Sequence, residues 1–315
     1  MQPIKDKYGR QFQSLRVSLT DLCNMKCIYC VSDALPIVHQ KGLDYITLSD
    51  KVIELNNYLN LKDIRITGGE PTVYPYFLPF IKRLSENSIE NIKVTTNGLN
   101  LKPFIQELKE CNVNEINFSL DSLEETTFYK ITGKNKLGVV LENIQLCIDA
   151  GIKVKINTVL LKGINDHEIL HLLTYFKNKN VSIRFLELMR MGHLYSRDFD
   201  NYFIGQEKIL DIISDQFPLQ SMGRKVSATA QYWQLENGYQ FGIIANESVP
   251  FCNDCNRLRL DSKGKLYGCL SKNNFVSTET IKDQDTFVTA IKQALTHKQA
   301  HKFVGSDLSM LEIGG

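Results

Sequence analysis

The sequence has no long apolar run, no block of lysine and arginine, no low-complexity tract and no internal repeat. An apolar run of about 20 residues is needed to span a bilayer, and the stretch MQPIKDKYGRQFQSL lacks the apolar core of a signal peptide. The formal net charge is +2, with no basic block to concentrate it. We therefore expect no membrane and no nucleic acid as partners. We expect a cytoplasmic protein, whose thiols stay reduced.

Strand-like and helix-like segments alternate from residue 14 to about residue 188 of the 315-residue chain. The predicted strands are Ser14–Thr20, Asp63–Thr67, Ile92–Thr96, Glu115–Leu120, Lys153–Leu160 and Ser182–Leu188. Strands separated by helices are typical of βαβ units with a parallel sheet. We predict an α/β fold in which residues 1–195 form a partial, open TIM-type (β/α)6 barrel. Such folds place their chemistry at the carboxyl ends of the strands.

After residue 195 the pattern changes to a helix near Gly205–Phe217, hairpin-like strands and a helix near Thr286–Leu295. Residues 196–315 therefore predict a C-terminal α+β cap over the barrel mouth.

Six of the eight cysteines fall into two groups. The first triplet is Cys23, Cys27 and Cys30, and the second is Cys252, Cys255 and Cys269. Cys111 and Cys147 lie alone in helical patterns, as buried apolar residues do. In a reducing compartment, clustered cysteines indicate a metal site and not disulfides.

The first triplet follows the first predicted strand with the spacing C-x3-C-x2-C. Three thiolates hold three irons of a [4Fe–4S] cluster and leave the fourth iron open. That iron is free to bind the amino and carboxylate groups of S-adenosylmethionine. A structural zinc site is the alternative, but zinc usually takes four ligands in paired spacings, and a fourth is missing nearby.

The segment Gly68-Gly69-Glu70-Pro71 follows the second predicted strand. Two glycines let the backbone approach a ligand closely. Alone this motif predicts only a turn, but together with the first triplet it resembles the radical S-adenosylmethionine superfamily. In that superfamily this loop holds the amino group of the cofactor. The resemblance places these residues on the cofactor: Tyr29, Gly69, Ser119 and Met189.

The second triplet has the spacing C-x2-C-x13-C and predicts a second [4Fe–4S] cluster with one open iron. Arg257 and Arg259 follow it, and in an extended segment their side chains share one face. Arginine binds phosphate with a rigid fork of donors, so this pair favours an anionic ligand. A zinc knuckle beside a basic surface strand is the alternative.

Taken together, these motifs narrow the resemblance to the GTP 3′,8-cyclase (MoaA) family, which begins molybdenum-cofactor synthesis. The similarity covers nearly the whole chain, through LRVSLTDLCNMKCIYC, IRITGGEP, VTTNG, INFSLDSL, VKINTVLLKGIND, IRFLELM, FCNDCNRLRL, GKLYGCL and a terminal Gly-Gly. In that family a radical made from S-adenosylmethionine takes the ribose 3′ hydrogen of GTP, and the ribose radical attacks C8 of guanine. The open iron of the second cluster binds the guanine.

The resemblance also implies site residues. Those expected to bind GTP are Arg16, Arg65, Thr95, Lys155, Arg257, Leu258 and Arg259. Arg16 is expected to act in catalysis together with the first triplet, and the Gly314-Gly315 tail is expected to enter the site. The expected partners are an electron donor such as flavodoxin or ferredoxin, a downstream cyclic pyranopterin-forming enzyme and a second copy in a homodimer.

The residues agree with this interpretation. No G-x-x-x-x-G-K-[ST] loop is present to cradle phosphates. Arg16, Arg65 and Lys155 lie on predicted strands and, with the two arginines of the cap, supply five positive charges. Each strand cation has an alternative role, as the partner of a neighbouring Asp or Glu. The stretch Thr72–Pro75 departs from the family, many of whose members carry paired arginines there.

Three other functions are each suggested by part of the sequence. The segment His167-Glu168-Ile169-Leu170-His171 matches the zinc-peptidase signature H-E-x-x-H, but it lies in the fifth crossover helix, without a visible third ligand. A radical peptide-modifying enzyme also combines a cleavage cluster with auxiliary cysteines, usually more than three. A zinc-binding interaction protein is the third alternative.

Overall fold

The computed structural model describes residues 4–31, 41–179, 181–195 and 198–313. The strands are β1 (Ser14–Ser18), β2 (Asp63–Thr67), β3 (Ile92–Thr96), β4 (Val113–Ser119), β5 (Lys153–Leu160), β6 (Ser182–Glu187), β7 (Leu219–Gly223), β8 (Gln231–Leu235), β9 (Gln240–Ile244), β10 (Arg257–Leu260), β11 (Lys265–Tyr267) and β12 (Phe275–Ser277). The α-helices are α1 (Tyr45–Leu59), α2 (Phe77–Glu86), α3 (Ile105–Glu110), α4 (Glu125–Thr132), α5 (Leu137–Asp149), α6 (Ile169–Asn178), α7 (Phe199–Tyr202), α8 (Gln206–Ser214), α9 (Gln284–Thr296) and α10 (Met310–Ile313). Within these ranges, no helix combines the length and apolarity required to cross a membrane.

One sheet joins the strands in the order β12-β11-β10-β1-β2-β3-β4-β5-β6-β9-β8-β7. The run from β10 through β1–β6 to β9 is parallel, and antiparallel strands continue it at both ends. In the described part of the chain the two outermost strands, β12 and β7, do not pair with each other. The predicted open barrel is therefore confirmed.

The predicted strands agree closely with the observed ones. Strands β2, β3 and β5 have the predicted bounds, and β1, β4 and β6 differ by two residues at most. The helical segment between β3 and β4 begins as a 3-10 turn, Lys102–Phe104, before α3. Pro103 lies in that first turn, where its missing N–H costs no hydrogen bond.

The C-terminal third extends the barrel sheet on both sides. Strand β9 pairs with β6, and β10 pairs with β1. Leu258 of β10 is fully buried in the same hydrophobic core as Leu15 and Val17 of β1. Both parts of the chain therefore share one core, while the domain boundary between residues 195 and 196 stays a prediction.

Candidate active site

The first triplet lies on a loop that two neighbouring segments hold in place. After β1, the backbone N–H groups of Lys26 and Ile28 donate to the carbonyls of Thr132 and Ile131 at the end of α4, both at 3.0 Å. The N–H of Cys30 donates to the carbonyl of Cys27 at 2.8 Å and closes a turn. This turn brings the three thiols to the wall of one cavity.

The thiols of the first triplet are poorly suited to remain free anions. Burial raises the pKa of Cys27 well above its ordinary value, and the charges of Cys30, Asp121 and Cys23 raise it further. Burial and the charge of Cys23 raise the pKa of Cys30 to about 12. Thiolates that repel one another in a buried site require a cationic group between them. The donor set therefore fits an iron–sulfur cluster.

The spacing of the thiols also argues against a single ion. In the described ranges, the one group of three ligand atoms within 4.8 Å of one another is Glu124, His167 and Glu168. In neither cysteine triplet do all three sulfur atoms lie within 4.8 Å of one another. Zinc holds thiolates at about 2.3 Å, which places the sulfur atoms roughly 4 Å apart. A cluster has wider spacing, so the zinc alternatives fit less well.

The two glycines after β2 touch the first-triplet loop directly. The N–H of Gly69 donates to the carbonyl of Thr20 at 2.7 Å. A Cβ on Gly69 would lie 2.4 Å from the carbonyl oxygen of Leu22, and one on Gly68 would lie 2.8 Å from that of Thr20. Both positions therefore require glycine, because the obstructing atoms are backbone.

Glu70 ties this glycine loop to the end of β3. Its carboxylate, only 1% exposed, accepts from the hydroxyls of Thr72 and Thr96, both at 2.7 Å, and from the N–H of Asn97 at 2.6 Å. Burial raises the pKa of Glu70, and these donors oppose that rise. The Asn97 amide in turn donates to the side-chain oxygen of Asn24 at 2.7 Å. Three successive strand-to-helix loops are thus held together.

Asp121 orients Tyr29 on the cavity wall. The Tyr29 hydroxyl donates to Asp121 at 2.6 Å, and the N–H of Val159 donates to the other carboxylate oxygen at 2.8 Å. Burial raises the pKa of Asp121 to about 6. Asp121 lies in the segment INFSLDSL but was not predicted as a site residue.

The second triplet lies against two cations. Cys252 begins a short 3-10 helix, and the buried ammonium of Lys298 donates to the Cys255 sulfur at 3.2 Å and to the carbonyl of Arg257 at 2.8 Å. Burial alone would raise the pKa of Cys255, but the charges of Arg257 and Lys298 lower it to about 6. The two triplets therefore differ, since the second has cations that stabilise a thiolate. Lys298 was missed in the sequence because it lies 43 residues after Cys255, the cysteine that it contacts.

The parallel pairing of three strands produces a row of arginines. Arg16 of β1 lies directly beside Arg65 of β2 and Arg259 of β10. Burial lowers the pKa of Arg16 well below its ordinary value, and the charges of Arg259, Arg65 and Arg257 lower it further. Buried cations that repel one another attract an anion. Arg257, which donates to the carbonyl of Ser227 at 2.8 Å, completes this positive side of the cavity.

Arg65 and Lys155 also share a buried carboxylate. Arg65 lies 3.2 Å from one oxygen of Glu115, and Lys155 lies 2.5 Å from the other. Burial by itself would raise the pKa of Glu115, but Lys155 and then Arg65 lower it to about 2. Both cations therefore also have the alternative role, which is to pair with a neighbouring carboxylate. One nitrogen of Arg65 (Nη1) is buried without a hydrogen-bond partner in the described chain.

These walls enclose one cavity of ≈ 340 Å³. All six clustered cysteines line it, as do nine further predicted site residues: Arg16, Tyr29, Arg65, Gly69, Thr95, Ser119, Met189, Arg257 and Arg259. Lys155 and Leu258 do not line it, since Lys155 faces Glu115 and Leu258 is buried in the core. Gly314 and Gly315 lie outside the described residues.

Arg184 of β6 is a further cation on the cavity wall that sequence reasoning missed. It is buried and donates to Asn117 at 2.8 Å, and its Nε has no partner among the described residues. Burial lowers the pKa of Arg184 to about 10. The strand IRFLEL was predicted, but its arginine pairs in register with Asn157 of β5 and not with Lys155, so no neighbouring strand cation marks it.

The H-E-x-x-H segment has a structural role. Glu168 is buried and accepts from the Ser122 hydroxyl at 2.5 Å and from the N–H of Leu123 at 2.7 Å. His167 is exposed and pairs with Glu124 at 3.2 Å, and His171 is exposed on α6. A glutamate committed to a loop in this way cannot activate water for peptide hydrolysis. These contacts do not favour the zinc-peptidase alternative.

Two protein-family models match successive parts of the chain. Residues 17–176 match the Radical SAM superfamily, and residues 181–304 match Molybdenum Cofactor Synthesis C. A GTP 3′,8-cyclase of Synechocystis sp. is 38% identical over 273 residues, which are 86% of this chain and 83% of the relative. One from Staphylococcus carnosus is 37% identical over 276 residues, covering 85% and 81%.

Solved structures support the fold. Streptococcus suis SuiB bound to S-adenosylmethionine aligns with a TM-score of 0.64 at 14% identity, over 90% of this chain and 67% of that one. The protein anSMEcpe with bound AdoMet gives 0.64 at 16%, over 90% and 82%. At such low identity these two show a shared architecture and no more. With the sequence relatives and both family matches, the chain belongs to the GTP 3′,8-cyclase family of radical S-adenosylmethionine enzymes.

Proposed function

We infer that this chain is a radical S-adenosylmethionine GTP 3′,8-cyclase, which converts GTP to (8S)-3′,8-cyclo-7,8-dihydroguanosine 5′-triphosphate in the first step of molybdenum-cofactor synthesis. The observation that carries this function is the row Arg259–Arg16–Arg65, which lies in the same cavity as both cysteine triplets. A triphosphate needs several cations where no phosphate loop exists.

The first triplet fits a [4Fe–4S] cluster by its donor set and spacing, and we propose the same for the second. Bound together, a cluster and S-adenosylmethionine supply the radical that removes the 3′ hydrogen of GTP. The protein's part is to bind, orient and exclude water. Because radical closure needs the ribose and guanine carbons almost in contact, positioning dominates the rate.

On the cofactor side we propose that Gly69 offers its backbone to the amino group of S-adenosylmethionine, and that Tyr29, Ser119 and Met189 contact the same ligand. Tyr29 is fixed for this role by its hydrogen bond to Asp121. The close packing of Gly69 on the first-triplet loop keeps the amino group near the cluster ligands.

On the substrate side we propose that the arginine row and Arg257 bind the triphosphate, with Thr95 beside them on the cavity wall. Arg16, at the centre of the row, is proposed to act in catalysis by fixing the phosphates relative to the reacting ribose. Leu258 lies between Arg257 and Arg259, so its backbone is its available contact. Lys155 is proposed to contribute through its charge beside Glu115.

A peptide-modifying activity fits less well. Its supporting observation is the shared architecture with anSMEcpe, one of whose structures holds a peptide. A peptide site would not require three adjacent arginines, in which Arg16 is repelled by the charges of both neighbours. The proposed partners are an electron donor, a downstream enzyme that consumes the cyclised nucleotide, and a second copy of the chain. The cytoplasmic location also stays a prediction.

The test is anaerobic incubation of reconstituted protein with GTP and S-adenosylmethionine, followed by mass analysis of the nucleotide. We expect the wild type to hold about eight irons per chain and to form the cyclised product. Cys27→Ser should form neither 5′-deoxyadenosine nor product. Cys255→Ser should form residual 5′-deoxyadenosine with almost no product, because only the orientation of guanine is lost.

Cys111→Ser is the matched control, since this buried cysteine lies outside both triplets and should leave iron content and product unchanged. The remaining iron of each variant must be measured, because unfolding would also abolish cleavage. Normal cyclisation by Cys255→Ser, or zinc in place of iron in the wild type, would contradict the assignment.

A further inference from the structure

The first-triplet loop reaches the surface beside the C-terminal end of α4. Cys27 lies between two exposed residues, Lys26 and Ile28, whose backbone N–H groups are bonded to the end of that helix. Thr132 and Ile131 accept these bonds. A ligand of the proposed cluster is therefore one residue away from side chains that face solvent.

The surface around this point is basic and partly apolar. Lys26, Lys130 and Lys134 are exposed, and among the described residues none of them forms an ion pair. Two large side chains are exposed with them, Ile28 at 36% and Tyr129 at 52%. We call these five residues the lysine patch. Apolar contacts with a charged rim are typical of a protein interface.

Helix stability alone does not account for the patch. Cations near a helix C-terminus are favourable, which would explain Lys130 and Lys134. This interaction with the helix end explains neither Lys26, which belongs to the cysteine loop, nor the exposure of Ile28 and Tyr129. The acidic residue of α4, Glu125, lies in its first turn, about 7.5 Å from Lys130 along the helix axis. Within the part of the chain that the structure describes, the patch therefore presents a positive surface without ion-paired partners.

We propose that the lysine patch docks an acidic one-electron carrier protein, which reduces the cluster held by the first triplet. This inference rests on the proposed function and adds the surface through which the electron enters. One electron leaves the reduced carrier and enters the cluster, so the carrier is oxidised and no atom is transferred. The opposite side of the triplet faces the substrate cavity, which leaves this outer surface for the carrier.

Charge complementarity selects the partner. Three exposed lysines attract a surface rich in Asp and Glu and accelerate its encounter, most strongly at low salt. The apolar pair, Ile28 and Tyr129, then provides the contact that holds the carrier near Cys27.

The experiment compares two double charge reversals in the reconstituted full-length protein. The first is Lys130→Glu with Lys134→Glu, within the patch. The matched control is Lys208→Glu with Lys292→Glu, two exposed lysines on α8 and α9 with the same change in net charge. Cleavage of S-adenosylmethionine is measured with reduced flavodoxin as the carrier, at 50 mM and 300 mM salt, and separately with dithionite.

With flavodoxin, we expect the patch variant to lose about tenfold or more in kcat/KM, mainly through KM, and to lose most of its salt dependence. With dithionite, its cleavage rate should equal that of the wild type, since a small reductant needs no docking surface. The control variant should behave as the wild type with both reductants.

Three results would overturn the inference: an unchanged KM for flavodoxin in the patch variant, equal losses in both double variants, or an equal loss with dithionite. A patch variant that loses affinity for a DNA duplex but keeps its KM for flavodoxin would also overturn it, in favour of nucleic acid. Failure of the wild type to cleave S-adenosylmethionine with dithionite would instead count against the proposed function.

Discussion

Replacing Lys155 by methionine tests how the strand cations serve the substrate. The ammonium lies 2.5 Å from Glu115, whose other oxygen faces Arg65 at 3.2 Å. Without Lys155, the Glu115 carboxylate loses the group that most lowers its pKa, and Arg65 becomes its main partner. Arg65 is then less available to a phosphate, in addition to the loss of one positive charge.

A charge-assisted hydrogen bond contributes about 1.5–3 kcal/mol, so Lys155→Met should weaken GTP binding roughly 10- to 150-fold. Binding of S-adenosylmethionine should stay unchanged, because its proposed contacts lie elsewhere on the cavity wall. Both affinities can be measured by anaerobic equilibrium dialysis. Lys153→Met is the matched control: it lies on the same strand but is 66% exposed and 3.9 Å from Glu115, and we expect less than a twofold effect.

The double variant Lys155→Met with Glu115→Gln separates the two contributions. Neutralising the carboxylate frees Arg65, so we expect GTP affinity to recover in part, while the missing ammonium prevents full recovery. The reasoning would be refuted if Lys155→Met bound GTP normally, or if it lost S-adenosylmethionine to the same extent. No recovery at all in the double variant would show that Arg65 is not shared in this way.

Two further predictions concern the walls of the cavity. Gly69→Ala forces a Cβ against the carbonyl of Leu22, so we expect about a hundredfold loss of S-adenosylmethionine cleavage. The free energy of unfolding, measured with urea, should fall by only ~1–3 kcal/mol. Gly138→Ala is the control, because the space around its Cβ is open, and it should keep full activity. Lys298→Met removes the donor and the charge beside Cys255. The reduction potential of the proposed second cluster should then become more negative in an EPR-monitored redox titration, and an unchanged potential would contradict this role.

The barrel strands and the cysteine motifs could be predicted because their signals are local. Strand β5 alternates between buried and less buried residues along Lys153–Leu160, and this alternation is visible as a period of two in the sequence. The first triplet and Gly69 follow their strands directly, so the parallel topology alone places them at one edge.

The features of the site that could not be predicted from the sequence depend on contacts between distant segments. The pairing of β10 with β1 brings Arg259 beside Arg16, and neither segment alone indicates that neighbour. Lys298 and Arg184 were missed for the same reason, because isolated basic residues have no local signature. Glu115 was likewise not recognised as the partner of Arg65 and Lys155, although such a partner was considered.

The pairing of β1 with β10 also has a consequence for how the protein is made. The two strands are about 240 residues apart along the chain, yet they are hydrogen-bonded neighbours inside the sheet. During synthesis, β1 therefore has an open edge until most of the chain has left the ribosome. Contacts of such high sequence separation make folding slow and leave unpaired strand edges exposed to aggregation. The cavity that both cysteine triplets line is therefore complete only after β10 has paired with β1.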